Sequence, residues 1–177
     1  MKKLSTIKLE TKRLILRRFT LDDSYQMYNN WASDDEVTKF MTWPSHINED
    51  VSRSVLNIWV NNYSKDDFYQ WGIVIKETNE LIGSISVVNI SEDENAEVGY
   101  CISRKHWNKG ITTEAFKRVI EFLFDEVGVK VVSARHDKLN PASGEVMKKC
   151  GLVFKKETIS RNNMSSSALC NYYELKR

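Results

Sequence analysis

A long amphipathic stretch held between two strand-like runs does most to limit how this chain can fold. Residues 96–105 (AEVGYCISRK) and 129–137 (VKVVSARHD) carry the β-branched and aromatic side chains of strands. Between them, over residues 110–127, Ile111, Ala115, Val119, Ile120, Phe122, Leu123 and Val127 recur at helical spacing, and Gly128 supplies a left-handed stop. A strand–helix–strand crossover joins parallel strands, in the right-handed sense. Two parallel strands therefore belong at the centre of whatever sheet the remaining segments build.

Those segments predict mostly antiparallel neighbours. RLILRRF, residues 13–19, alternates as a first strand. YQWGIVIKET and ELIGSISVVNI form a hairpin about Asn79, and the acidic turn SEDEN returns the chain into the strand at 96–105. LVFKKETIS and ALCNYYELK close the chain as two strands across the polar turn RNNMSSS, residues 161–167. Thr20 caps a helix over residues 21–32, with Asp22 and Asp23 in its first turn. Asn48 caps a second helix, which carries Val51, Val55, Ile58 and Trp59. Pro141 opens a short helix that Gly151 ends. The expected class is α/β (α+β): a mixed, mostly antiparallel central sheet of about six or seven strands, with helices on both faces.

At 177 residues, 41% of them apolar, the chain is expected to form one domain over 1–177 with a packed core. A net charge of +2 is too small to imply direct nucleic-acid binding or an anionic membrane. Apolar runs are too short to span a bilayer, and the basic opening lacks the hydrophobic region of a secretory leader. Cys101, Cys150 and Cys170 are odd in number and widely spaced, which suits free thiols in a reducing cytoplasm and fits no metal site.

The segment HWNKGITTEA, residues 106–115, lies where the strand hands over to the long helix. The first N–H groups of a helix lack intrahelical partners, and its dipole adds roughly half a positive charge there, so an anion is stabilised without special side chains. Gly110 permits close backbone approach, Thr112 and Thr113 add hydroxyls, and Arg104, Lys105, His106 and Lys109 add positive charge. The alternative is a turn that Gly110 merely eases. The segment matches neither the Walker loop nor the dinucleotide glycine fingerprint.

In combination the pattern says more. The order AEVGY, then W-x-K-G-x-x-T-E-A, then N-x-x-S-x-x-V-M-x-K-x-G, behind the opening ETKRLILRRFTLDD, resembles the GNAT superfamily of acyl-CoA-dependent N-acetyltransferases, and within it the ribosomal-protein N-acetyltransferase branch. The resemblance covers nearly the whole chain. It implies that Trp107, Asn108, Lys109, Gly110, Ile111, Thr112 and Thr113 hold the pyrophosphate of acetyl-CoA through backbone amides. Trp107 stands where the family has Gln or Arg, Asn108 where glycine is frequent, and Thr112 where it has a small residue. It also implies that Tyr100, Cys101 and Ile102 offer main-chain groups to the pantetheine arm, while the strand after the helix splays away to admit the thioester.

For the chemistry, the resemblance points to Glu97 as general base and Ser143 as donor to the departing sulfur, with Asn140 and Ser143 touching the pantetheine arm. Read alone, Glu97 is better taken as a solvated or lysine-paired carboxylate and Asn140 as a helix cap. Met147 occupies the position where many members carry a tyrosine acid; Tyr172 and Tyr173 are further candidates for that role, and Cys101 could carry an acyl group. The acceptor site is expected between residues 31–63 and the 161–167 turn. There Asp34, Asp35 and Glu36 could attract a cationic amine, and Trp43, His46 and Trp59 could line a pocket or belong to the core.

The implied function is transfer of an acetyl group by direct attack of a primary amine on the thioester, without a metal. A protein N-terminal α-amine is the favoured acceptor, because near pH 7.4 roughly a quarter of such amines are unprotonated, against about 0.1 per cent of lysines. Small amines (polyamine, amino acid, aminoglycoside), a non-catalytic acyl-CoA sensor and an RNA-associated protein are the alternatives. Exposed edge strands would allow a homodimer.

Overall fold

The computed structural model describes residues 1–161 and 167–177. Eight strands form one sheet: β1 (Leu9–Glu10), β2 (Leu14–Arg17), β3 (Gln70–Ile75), β4 (Leu81–Ile90), β5 (Asn95–Ile102), β6 (Val131–Asp137), β7 (Val153–Arg161) and β8 (Ser167–Lys176). Their order is β1-β2-β3-β4-β5-β6-β8-β7. Only the β5–β6 pair is parallel; every other pair is antiparallel. The expected mixed sheet is therefore present, with β1 added. Two residues against Leu16 and Ile15 carry too little pattern to be read as a strand.

The helices are α1 (Ser24–Met27), α2 (Asp35–Thr38), α3 (Glu49–Asn62), α4 (Ile111–Phe122) and α5 (Pro141–Lys149). A tight turn, Leu21–Asp23, precedes α1, and a wide one, Tyr28–Ala32, continues it, so the helix expected over residues 21–32 is built from three geometries. Asp23 fixes its start, accepting from the Thr20 N–H at 2.8 Å and from Arg17 at 2.8 Å. Asn48 caps α3 by accepting from the Val51 N–H at 3.2 Å. A wide turn, Leu123–Val127, likewise ends α4 before Gly128. The strand expected to reach residue 105 stops at Ile102, because Arg104–His106 coils into a single tight turn.

Two cores lie on opposite faces of the sheet. On one, α4 and α5 bury Phe116, Val119, Ile120 and Met147 against Ile85, Val98 and Ile102. On the other, α1 and α3 bury Met27, Trp31 and Leu56 against Val74, Leu81 and Cys101. Side chains of β5 alternate between them, as the pleat requires.

One irregularity positions the site. β5 and β6 pair only through Asn95–Val131, Ala96–Val132 and Glu97–Ser133. Beyond that point β5 stays with β4, while β6 stays with β8 as far as Asp137–Cys170. The two parallel strands thus diverge, and the sheet is open between them.

Candidate active site

A cavity of about 730 Å³ occupies this opening and reaches both faces of the sheet. On the α4–α5 side it is lined by Tyr100, Asn140 and Ser143. Glu97, Gly99, Arg135 and His136 stand at the gap, and Trp31, Trp43 and Trp59 lie on the α1–α3 side.

The loop before α4 sits at the carboxyl end of β5. Gly110 caps the helix with φ +71°, a left-handed conformation that costs a side-chain-bearing residue about 1 kcal/mol or more. Asn108, at φ +58°, shares that region, one that Asn tolerates better than most residues. No side chain caps the helix start, and the N–H groups of Ile111, Thr112 and Thr113 find no acceptor among the described residues. Three donors at the positive end of a twelve-residue helix therefore point outward.

Other contacts hold this loop still. Glu114 in the first turn of α4 accepts from Thr11 Oγ1 at 2.6 Å, the Arg13 N–H at 2.9 Å and Arg13 Nε at 2.6 Å. Arg13 Nη1 also donates to the Lys109 carbonyl at 3.0 Å. Burial opposes ionisation of Glu114, but these donors outweigh it and hold the carboxyl below its ordinary range. Trp107, where the family motif has Gln or Arg, donates from Nε1 to the Ile102 carbonyl at 3.0 Å. Its indole fastens the loop to the end of β5, and the Ile102 carbonyl is taken by that bond.

Around the gap, Tyr100 contributes more than main chain. Its hydroxyl donates to the Ser143 carbonyl at 3.0 Å and lies 3.1 Å from Ser143 Oγ. Burial raises its pKa, so it remains a phenol. Its ring packs on Phe116 with centroids 5.4 Å apart. Asn140 caps α5, its Oδ1 accepting from the Ser143 N–H at 3.4 Å, and this turns Ser143 toward the cavity. Met147 is buried in the core, so the position of the usual tyrosine acid does not face the opening. Tyr173 is also buried, between the rings of His136 and Phe154, and Tyr172 accepts from Asn95 Nδ2 at 2.8 Å in a separate polar recess.

Glu97 lies at the last paired position of β5, with only 16% of its side chain exposed, and is bound through both oxygens by Arg135. The pairing follows from register: Ser133 is opposite Glu97, and Arg135, two residues on, projects from the same face. Cys101 is buried against Ser84 Oγ at 3.5 Å, and burial pushes its thiol pKa up, which suits packing better than nucleophilic attack. At the end of β6, His136 donates from Nδ1 to the Asp137 carbonyl at 2.8 Å, leaving Nε2 buried without a partner. A Cβ at Gly144 would lie 2.6 Å from that nitrogen, so α5 can approach this closely only with glycine there.

Of the residues singled out in the sequence, Glu97, Tyr100, Cys101, Asn140 and Ser143 line this one cavity, Ile102 is buried beside it, and Trp107 to Thr113 form the adjoining loop and the first turn of α4. Trp43, His46 and Trp59 line it as well. Asp34, Asp35 and Glu36 do not: Asp34 pairs with Arg104 at 3.0 Å and caps α2, and Asp35 accepts from Ser45. In the 161–167 turn, residues 162–166 lie outside the described residues. Sequence reasoning missed Arg135, His136 and the side-chain role of Tyr100. Only Arg135 could have been found, from the crossover register.

Known proteins match this arrangement. The family described as acetyltransferase (GNAT) domain matches residues 13–153. The uncharacterized N-acetyltransferase p20 of Bacillus licheniformis is 32% identical over 157 residues, which are 87% of this chain and 85% of that protein. Among solved structures, the ribosomal-protein-S5-alanine acetyltransferase of Vibrio fischeri superposes with a TM-score of 0.82 at 18% identity, covering 96% of each chain. The microcin C7 self-immunity acetyltransferase MccE, in complex with acetyl-CoA and AMP, does so with 0.82 at 20% identity, covering 94% of each. The chain belongs to the GNAT acetyltransferase family and is an N-acetyltransferase.

Proposed function

We propose that the protein moves an acetyl group from acetyl-CoA directly to a primary amine, with a protein N-terminal α-amine as the favoured acceptor. The observation that carries this reading is the divergence of β5 from β6 beyond Glu97, next to a helix start whose N–H groups have no other partner among the described residues. A diphosphate at Gly110 would leave the thioester arm to run along the unpaired edge of β5 into the gap. A protein similar in fold, the microcin C7 self-immunity acetyltransferase, is solved with acetyl-CoA, which supports this reading.

In the gap, the amine nitrogen attacks the thioester carbonyl, the C–N bond forms and the carbonyl oxygen takes the negative charge. The nitrogen of the resulting adduct is far more acidic than a free ammonium, and Glu97, oriented by Arg135, takes its proton. The C–S bond then breaks, and Ser143, held by Tyr100 and Asn140, donates a hydrogen bond to the thiolate, which takes its proton from solvent while Glu97 gives its own up to solvent. The net movement is one proton from nitrogen to sulfur, with no covalent enzyme intermediate. A carboxylate already engaged by a guanidinium is ill suited to deprotonating a lysine. It suits an α-amine that arrives largely neutral. The fold shared with a ribosomal-protein alanine acetyltransferase supports the same acceptor.

The test is release of free thiol from acetyl-CoA in the presence of N-terminal peptides, polyamines and aminoglycosides. Acetylation of a peptide α-amine, located by mass spectrometry, is the expected result. Coenzyme binding without thiol release from any amine would contradict it.

A further inference from the structure

The half of the cavity on the α1–α3 face is built from large apolar side chains. Phe40, Met41, Trp43 and Trp59 wall it above a floor of fully buried Met27 and Trp31. Trp43 and Trp59 are partly buried, each packing on the second core. Phe19 supports the Trp59 ring at 5.0 Å, and the Trp43 ring leans on His46 at 5.4 Å. These contacts hold both indoles, and both line the cavity. Apolar surface held in a concave site is the usual means of binding an apolar group.

Charge sharpens the choice. Among the described residues, the only carboxylates on the cavity wall are Glu97 and Asp137. Glu97 is held by Arg135, and Asp137 Oδ1 accepts from the Leu139 N–H at 2.8 Å. The cations Arg135 and Arg161 share the same wall. His46 is neutral at physiological pH because burial lowers its pKa, and its Nδ1 lies 2.7 Å from Ser52 Oγ. The acidic run Asp34–Glu36 stands outside the cavity, with Asp34 engaged by Arg104. A polyamine or aminoglycoside would bring several ammonium groups to a wall whose two carboxylates are already matched in number by two guanidiniums, and most would be desolvated without a counter-charge.

We propose that the tryptophan-walled half is an acceptor side-chain pocket, selecting a primary amine that carries one bulky apolar or aromatic group and excluding polycations. The inference deepens the transferase reading and rests on it. An α-amine at Glu97 would place the substituent on its own α-carbon against Trp43 and Trp59. A free amino-acid derivative and the first residue of a peptide share this chemistry.

The experiment ranks phenylalaninamide, glycinamide, peptides beginning with Phe or Gly, and spermidine, by thiol release and by calorimetric binding to the CoA-saturated wild-type protein. Expected is a preference of about tenfold or more for the aromatic member of each pair, the size that burying one such side chain provides. Comparison of amide with peptide identifies the source. Trp43→Ala and Trp59→Ala should each erase most of that preference while moving the KM for acetyl-CoA less than twofold, and Trp43→Phe should keep it. Equal ranking, a preference for glycine, tighter binding of spermidine, or no binding of phenylalaninamide would overturn the proposal, whether or not the alanine variants fold. Absence of thiol release from every amine would instead contradict the transferase reading, and the calorimetric ranking would still decide the pocket.

Discussion

The two ends of the cavity are made of different material. At the α4 end the groups proposed to face the ligand are main chain: the N–H groups behind Gly110 and the unpaired edge of β5. At the α1–α3 end they are side chains brought from separate parts of the sequence: Trp31, Trp43 and Trp59. A site built from backbone tolerates substitution, which is how Trp107, Asn108 and Thr112 can depart from the family pattern and leave the helix start intact. A site built from side chains changes its ligand with each replacement. On the proposed reading the donor end depends on main chain and the acceptor end on side chains.

The largest effect that tests this division falls on the chemistry between the ends. Glu97→Gln keeps the shape of the side chain but removes the proton acceptor and leaves Arg135 without its counter-charge. Turnover should fall about a hundredfold, with the affinity for CoA little changed. Steady-state rates with calorimetry check both parts, and an equal loss of CoA affinity would break the distinction between the ends. Ser143→Ala should lower kcat about tenfold at an unchanged KM for acetyl-CoA. An unchanged kcat would remove Ser143 from the mechanism.

Smaller effects belong to the donor end alone. Trp107→Phe removes the bond to the Ile102 carbonyl and should raise the KM for acetyl-CoA a few-fold, consistent with a loss of about 1 kcal/mol, while leaving the ranking of acceptors as it was. The smallest effect is one of pH. Glu114 has a folded pKa below its ordinary value of 4.5, so its contribution is complete above that value and is lost as pH falls through the lower folded value. Below about pH 4.5 the melting temperature of the wild type should therefore drop more steeply than that of Glu114→Gln, as followed by thermal melts across the acid range.

The same contrast explains how much could be read from the residues. The crossover, the left-handed stop at Gly128, the Asn140–Pro141 start of α5 and the cap of α3 follow from local chemistry, and all were legible. The divergence of β5 and β6 came only with the family resemblance. Contacts made across the fold left no local signal: Tyr100 on Ser143, and Asp34 on Arg104 rather than on a substrate. Arg135 is an intermediate case, since the parallel register that brings it to Glu97 can be counted once the crossover is accepted.

Calorimetric titration of coenzyme A into the wild-type protein and into Gly110→Ala tests the central claim most directly. The wild type should take up one equivalent. The variant carries a Cβ where the diphosphate would approach the main chain, and it should bind about fivefold more weakly, a difference of about 1 kcal/mol. No uptake by the wild type, or equal affinity in both proteins, would contradict the assignment of the Gly110 main chain as the seat of the donor.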